Sequence, residues 1–177
     1  MGIMDKSRIY SPWLFHMHCG GCNGCDIETL AALSPRYDPE RFGIQLVPSP
    51  RHADILVTTG CVPKQFIPMV KRVYEQVPNP KVVVAIGGCA CGGSLFYDED
   101  PANYAILGYP DLLIPVDVYV PGCAPKPEAI INGIVQGIIK LAAKKKGMAA
   151  NPAPAAQAAP APSTAAPANP PATAPKA

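Results

Sequence analysis

Apolar positions along this chain follow two alternating patterns: short runs that are apolar on both faces, and longer segments in which apolar residues recur at helical spacing. Val82-Val83-Val84-Ala85-Ile86 is the clearest of the runs. A strand that is apolar on both faces belongs inside a parallel sheet covered on both sides. The pattern predicts strands over Tyr10 to Met17, Phe42 to Val47, Asp54 to Thr58, Lys81 to Ile86 and Val116 to Val120. It predicts helices over Asn23 to Leu33, Lys64 to Val77 and Lys126 to Lys146. In the last helix Pro127 suits the first turn, and Ile130, Ile131, Ile134, Ile138 and Leu141 recur on one face. Lys144 to Lys146 complement the negative C-terminal end. Strands alternating with helices imply an α/β domain of three layers with a mainly parallel sheet.

Composition places the end of that domain. From Met148 to Ala177 the chain is mostly Ala and Pro, with Lys176 its only charge. Such a segment cannot bury enough apolar surface to offset its ordering entropy. The expected division is therefore a folded domain over 1–147 and a disordered Ala/Pro-rich tail over 148–177, read as a spacer. The 177-residue chain has 15 Lys plus Arg against 13 Asp plus Glu, a formal net charge of +2, which gives no reason to expect a nucleic-acid partner. Ala129 to Ala143, the longest apolar candidate, is interrupted by Asn132, Gln136 and Lys140, so no membrane span is expected. Met1 to Tyr10 carries neither a secretory nor a twin-arginine pattern, and the chain is expected to remain in the cytoplasm.

The seven cysteines change the picture. An odd number of thiols in a reducing compartment argues against a disulfide framework and for soft-metal ligation or redox chemistry. Cys19, Cys22 and Cys25 follow the first predicted strand, and Cys61 follows the third. Cys89 and Cys91 follow Lys81 to Ile86, and Cys123 follows Val116 to Val120. All seven are thus expected beyond the carboxyl ends of strands, the edge where open parallel sheets bind ligands. Glycines surround them, among them Gly20, Gly21, Gly24, Gly87, Gly88 and Gly122. Small residues let backbone N–H groups approach an anionic group such as an iron-sulfur cluster. Four thiolates with Cys-x-x-Cys spacing also satisfy tetrahedral zinc, and a redox thiol pair would use two of them.

Longer motifs carry a resemblance. Cys22-Asn23-Gly24-Cys25-Asp26-Ile27-Glu28, Ser34-Pro35-Arg36-Tyr37-Asp38 and Pro50-Arg51-His52-Ala53-Asp54 are followed by Gly88-Cys89-Ala90-Cys91-Gly92-Gly93 and by Val116 to Pro125. In order and content these resemble the small subunits of energy-converting, membrane-bound nickel-iron hydrogenases, relatives of the cluster-bearing subunit beside the quinone site of respiratory complex I. The likeness spans Ser11 to about Gly147 and omits the tail. It implies a flavodoxin-like fold and one 4Fe-4S cluster held by Cys22, Cys25, Cys89 and Cys123. Cys19, Cys61 and Cys91 are then spare, Cys61 standing where many relatives carry proline. Complex I relatives have two adjacent cysteines where this chain separates Cys22 from Cys25, a mark of the hydrogenase branch.

The same resemblance implies partners. No cysteine follows Cys123 to build further clusters, and the two cysteine pairs that hold nickel and iron are missing. Electrons would come from a ferredoxin-like iron-sulfur subunit and pass to a nickel-iron large subunit, with integral membrane subunits holding the assembly at the cytoplasmic face and moving ions. The alternative is the corresponding cluster subunit of a complex I-like quinone or sulfur oxidoreductase. No residue of this chain is expected to be catalytic, except that Glu28, one turn after Cys25, could carry protons or could be a simple first-turn acid. Asp26, Arg51, His52 and Asp117 could line a subunit contact. His16 and His18 flank the first cysteine loop and could ligate in principle, although four cysteines already complete a cluster.

Overall fold

The computed structural model describes residues 10–97 and 106–148; the Ala/Pro-rich tail lies outside the described residues except for Met148. Five strands form a parallel sheet: β1 (Trp13–Gly20), β2 (Gln45–Leu46), β3 (Ile55–Gly60), β5 (Val82–Ile86) and β7 (Val118–Val120), in the order β2-β1-β3-β5-β7. Counted in sequence, the parallel strands run 2-1-3-4-5, the flavodoxin-like order with its topological switch point between β1 and β3. Their register is set by pairs such as His16 with Val57, Val57 with Val84 and Val84 with Val118. A small antiparallel pair, β4 (Val62–Pro63) with β6 (Ile106–Gly108), lies apart from this sheet.

Helices cover both faces. The core beneath α1 (Gly24–Ala32) and α4 (Pro127–Met148) contains Leu14, Ile55, Val57, Val82, Val84, Val118, Ile130, Ile134 and Leu141. Beneath α2 (Ile67–Gln76), the opposite face packs Met17, Cys19, Leu56, Val70, Val77 and Val83. The alternation explains the apolar runs, because successive residues of β3 and β5 point into different cores, and every residue of both strands is buried. Each fully buried Val, Ile or Leu is worth about 1.5–3 kcal/mol, so these two strands anchor the domain. Gly133 brings α4 close, since a Cβ there would stand 2.3 Å from the Val120 side chain.

Several predicted bounds shift. The first strand starts at Trp13 and runs on to Gly20, so Cys19 is part of β1 and not of the loop after it. The second predicted strand contracts to Gln45–Leu46, because Pro39–Phe42 forms a 3-10 turn closed by Gly43. The last helix reaches Met148, two residues past its predicted end. A short helix, α3 (Gly88–Gly92), holds Cys89 and Cys91.

Candidate iron-sulfur site

Four thiols meet at the carboxyl rim of the sheet. Cys22 lies in the turn between β1 and α1, Cys25 in the first turn of α1, Cys89 in α3 and Cys123 in the loop between β7 and α4. Cys22 and Cys123 are exposed, and Cys25 and Cys89 are half-buried. Backbone bonds fix the loops to one another: Gly87 N–H donates to the Val120 carbonyl at 2.8 Å, and Gly88 N–H to the Gly122 carbonyl at 2.7 Å. These tie the start of α3 to the Cys123 loop. Cys25 is tied to its own helix, where its carbonyl accepts from the Thr29 hydroxyl at 2.7 Å.

Gly87 decides whether the rim can close. Its φ is +94°, and a Cβ there would stand 2.3 Å from Cys25 Sγ, so any side chain would occupy the place of the sulfur. A Cβ on Gly24 would touch Cys22 Sγ at 3.5 Å and the Ala124 side chain at 3.8 Å, which sets the Cys22 turn against the Cys123 loop. The bare backbone of this cradle leaves room for sulfur.

Two of these thiols, Cys25 and Cys89, resist ionisation. Burial, followed by the charges of Cys89, Cys22, Asp26 and Cys123, pushes Cys25 up to about 11. Cys89 is raised by burial, then by Cys123, with Cys22 adding to it. Gathered without a cation, such sulfurs keep their protons; a cationic metal core removes that obstacle and deprotonates them. The donor set therefore fits a thiolate-bound group. A single zinc ion would hold every sulfur about 2.3 Å from one point. Among the described residues, no three His, Cys, Asp or Glu side chains form a group that could hold a metal ion.

The spare thiols have other surroundings. Cys19 is fully buried beneath α2 with Met17, Leu56 and Val70, and burial pushes its thiol up to about 12. Cys61, 5% exposed, donates to the Gly20 carbonyl at 3.3 Å and is raised by burial and then by the charge of Cys89. Cys91 points back to the Ala85 carbonyl at 3.7 Å. The seven thiols are thus less uniform than strand order suggests: Cys19 enters the core from within a strand, and Cys91 turns toward β5.

Asp26 stands beside Cys25 at the centre of a polar group. Its carboxylate accepts from the Thr59 hydroxyl at 2.5 Å and contacts His16 Nε2 at 2.9 Å and His18 Nδ1 at 2.8 Å. Burial opposes its ionisation, but Thr59 and the two histidines outweigh burial and hold it below the ordinary carboxylate value. His16 is depressed by burial, against the pull of Asp26. No sequence pattern pairs these residues, because only strand register brings His16, His18 and Thr59 to one face.

The remaining expected residues lie elsewhere. Glu28 is half-buried on α1; nearby, the Tyr37 hydroxyl donates to Glu128 at 3.0 Å, and that bond is the main cause that raises the phenol, with Glu28 adding least. Arg51 and His52 are exposed on a 3-10 turn, with His52 edge-on to Trp13. Asp117 is at the opposite end of the sheet, paired with Lys144 at 2.7 Å. An apolar cleft of about 310 Å³, lined by Tyr37, Phe42, Ile131 and Ile138 among others, contains none of the cysteines. No helix among the described residues is long and apolar enough to cross a membrane.

Comparison with known proteins gives a consistent result. Residues 22–137 match the family model described as NADH ubiquinone oxidoreductase, 20 Kd subunit. The probable membrane-bound hydrogenase subunit mbhJ of Pyrococcus furiosus is 61% identical over 137 residues, covering 77% of this chain and 80% of that one. Formate hydrogenlyase subunit 7 of Escherichia coli is 44% identical over 128 residues, 72% of this chain and 49% of that one. Among solved structures, a chain of the membrane-bound sulfane sulfur reductase, an archaeal respiratory membrane complex, superposes with a TM-score of 0.66 at 36% identity, covering 80% of this chain and 76% of that one.

Proposed function

The chain belongs to the NADH ubiquinone oxidoreductase 20 Kd subunit family, and from that membership we propose that it relays electrons through one 4Fe-4S cluster to the nickel-iron site of a partner large subunit. Membership makes it a non-catalytic subunit of an oxidoreductase complex with an iron-sulfur electron-transfer role. The hydrogenase reading goes further and is supported by the 61% identity to a membrane-bound hydrogenase subunit. A ferredoxin-like subunit feeds the relay, and integral membrane subunits hold this peripheral chain at the cytoplasmic face while coupling turnover to ion movement.

The observation that supports the reading is that Cys22, Cys25, Cys89 and Cys123 all lie at one rim of the sheet, beside glycines whose missing side chains leave space at Cys22 and Cys25. When bound, the cluster supplies reversible one-electron transfer. The residues of this chain do the rest. Four thiolates would hold the group, from the turn before α1, the start of α1, α3 and the loop after β7, and Gly87 leaves the space that Cys25 needs. The Gly87 and Gly88 amides spend their hydrogen bonds on the Cys123 loop and so keep the ligand loops from separating. Exposure of Cys22 and Cys123 leaves the outer side of the site open to a docked partner.

Replacing each of the four cysteines with Ala in the assembled complex tests the ligand set. Each variant is expected to lose the iron, the acid-labile sulfide and the paramagnetic signal of this one cluster. A variant that keeps its signal unchanged removes that cysteine from the set, and equimolar zinc in place of iron overturns the proposal. Glu28 as a proton carrier is part of the same proposal: Glu28→Gln evolving hydrogen at the parent rate across pH removes that role. The sulfane sulfur reductase likeness favours a second reading, the same relay serving a sulfur-reducing large subunit. Nickel content and hydrogen evolution by the purified complex favour the first reading; sulfide production without nickel favours the second.

A further inference from the structure

The Asp26 group lies against the proposed cluster site but supplies no ligand. Its residues come from three elements: His16 and His18 from β1, Thr59 from the end of β3, and Asp26 from the first turn of α1. Those elements flank the switch point of the sheet. Asp26 directly follows Cys25 in sequence, and its charge is felt at the Cys25 thiol. Its side chain is 15% exposed, so water screens it little. Among the described residues its close contacts with basic side chains are to His16 and His18, and no Lys or Arg forms a salt bridge with it.

Two consequences follow from position and charge. Three contacts on one carboxylate clamp the first turn of α1 onto β1 and β3, which fixes the start of the helix that carries Cys25. A carboxylate retained beside a group that gains an electron repels that electron, by the same Coulomb effect that shifts a neighbouring pKa. We infer that Asp26 is a positioning residue whose fixed negative charge, shared with His16, His18 and Thr59, holds the adjacent cluster at a lower reduction potential than its four thiolates alone would give. Reducing power suited to low-potential chemistry is thereby kept by a residue that never touches the metal.

This inference rests on the iron-sulfur reading above, and the experiment separates the two. The assembled complex is titrated electrochemically, following the paramagnetic signal that vanishes when Cys22 is replaced. Asp26→Asn, close in shape but uncharged, is expected to retain iron and sulfide and to shift the midpoint upward. The reduced-to-oxidised ratio at a fixed poise should rise about tenfold, which is about 59 mV for a one-electron couple. His18→Leu removes one contact from the carboxylate, leaves its charge less compensated, and is expected to move the midpoint down. Thr59→Val keeps the charge and should change the potential least. A loaded Asp26→Asn complex with an unmoved midpoint overturns the inference and leaves the proposed function standing. If Asp26→Asn fails to load, His18→Leu decides, and a midpoint there that is unmoved or raised overturns it. Parent complex without iron or sulfide in this chain overturns both.

Discussion

The two ends of the parallel sheet are built on opposite principles. At the amino end, side chains close the backbone. Asp54 accepts from the Trp13 N–H at 3.3 Å, Asp117 accepts from the Val83 N–H at 2.9 Å, and Lys144 reaches both Asp117 and the Lys81 carbonyl at 3.0 Å. Each acid sits just before a strand and caps the start of its neighbour. At the carboxyl end, the backbone serves side chains: glycine loops brace one another beside the thiols. One end is thus capped by side-chain hydrogen bonds to strand starts, and the other gathers thiols at the edge where open parallel sheets bind ligands.

Gly87 offers the strongest way to break that division. Gly87→Val forces a branched residue into a φ of +94° and drives its Cβ into the position of Cys25 Sγ. By the usual cost of disturbing a metal site's supporting residues, cluster retention should fall roughly 10- to 100-fold. Far-UV circular dichroism should stay near that of the parent, because the buried strands beneath are untouched. Iron and sulfide analysis beside that spectrum checks both halves; full cluster content in Gly87→Val would show that the cradle is not where the group sits.

Asp117→Ala probes the other end. It strands the Val83 amide in a part-buried site, a loss of about 1–3 kcal/mol. The Lys144 pair, 42% exposed on the lysine side, adds little. The melting temperature should drop by roughly 5 °C while cluster content below the transition stays at the parent level. A variant that melts normally yet loses iron would reverse the assignment of roles to the two ends.

The sequence makes one of these ends far more legible than the other. A run such as Val82 to Ile86 announces a buried parallel strand because both faces must be apolar, and five strands alternating with three helices are read from the pattern of apolar positions. The rim is legible as a list of thiols that follow strands. What failed was the end of β1. The pattern His16-Met17-His18-Cys19 alternates polar and apolar, the usual strand signature. The presence of the cysteine motif nevertheless ended the predicted strand at Met17. Its polar side is satisfied by Asp26 and Thr59, partners that no spacing rule connects, since register alone sets His18 against Thr59. β4 and β6, two and three residues long with Pro63 in the pair, were too short to leave any periodicity.

That misplaced strand end supplies the finest test, because it separates Cys19 from the thiols of the rim. Cys19 is 0% exposed, and burial holds its thiol up to about 12. Burial thus disfavours the Cys19 thiolate at pH 8, and only the thiolate reacts readily with an alkylating reagent. Iodoacetamide applied to the native complex should therefore leave Cys19 unmodified by mass spectrometry, and unfolding should expose it to complete labelling. Cys19→Ala should change cluster content not at all, since the side chain faces Met17, Leu56 and Val70 beneath α2. Prompt native labelling would place Cys19 on the rim after all, where its three-residue separation from Cys22 would make it a competitor for the same iron.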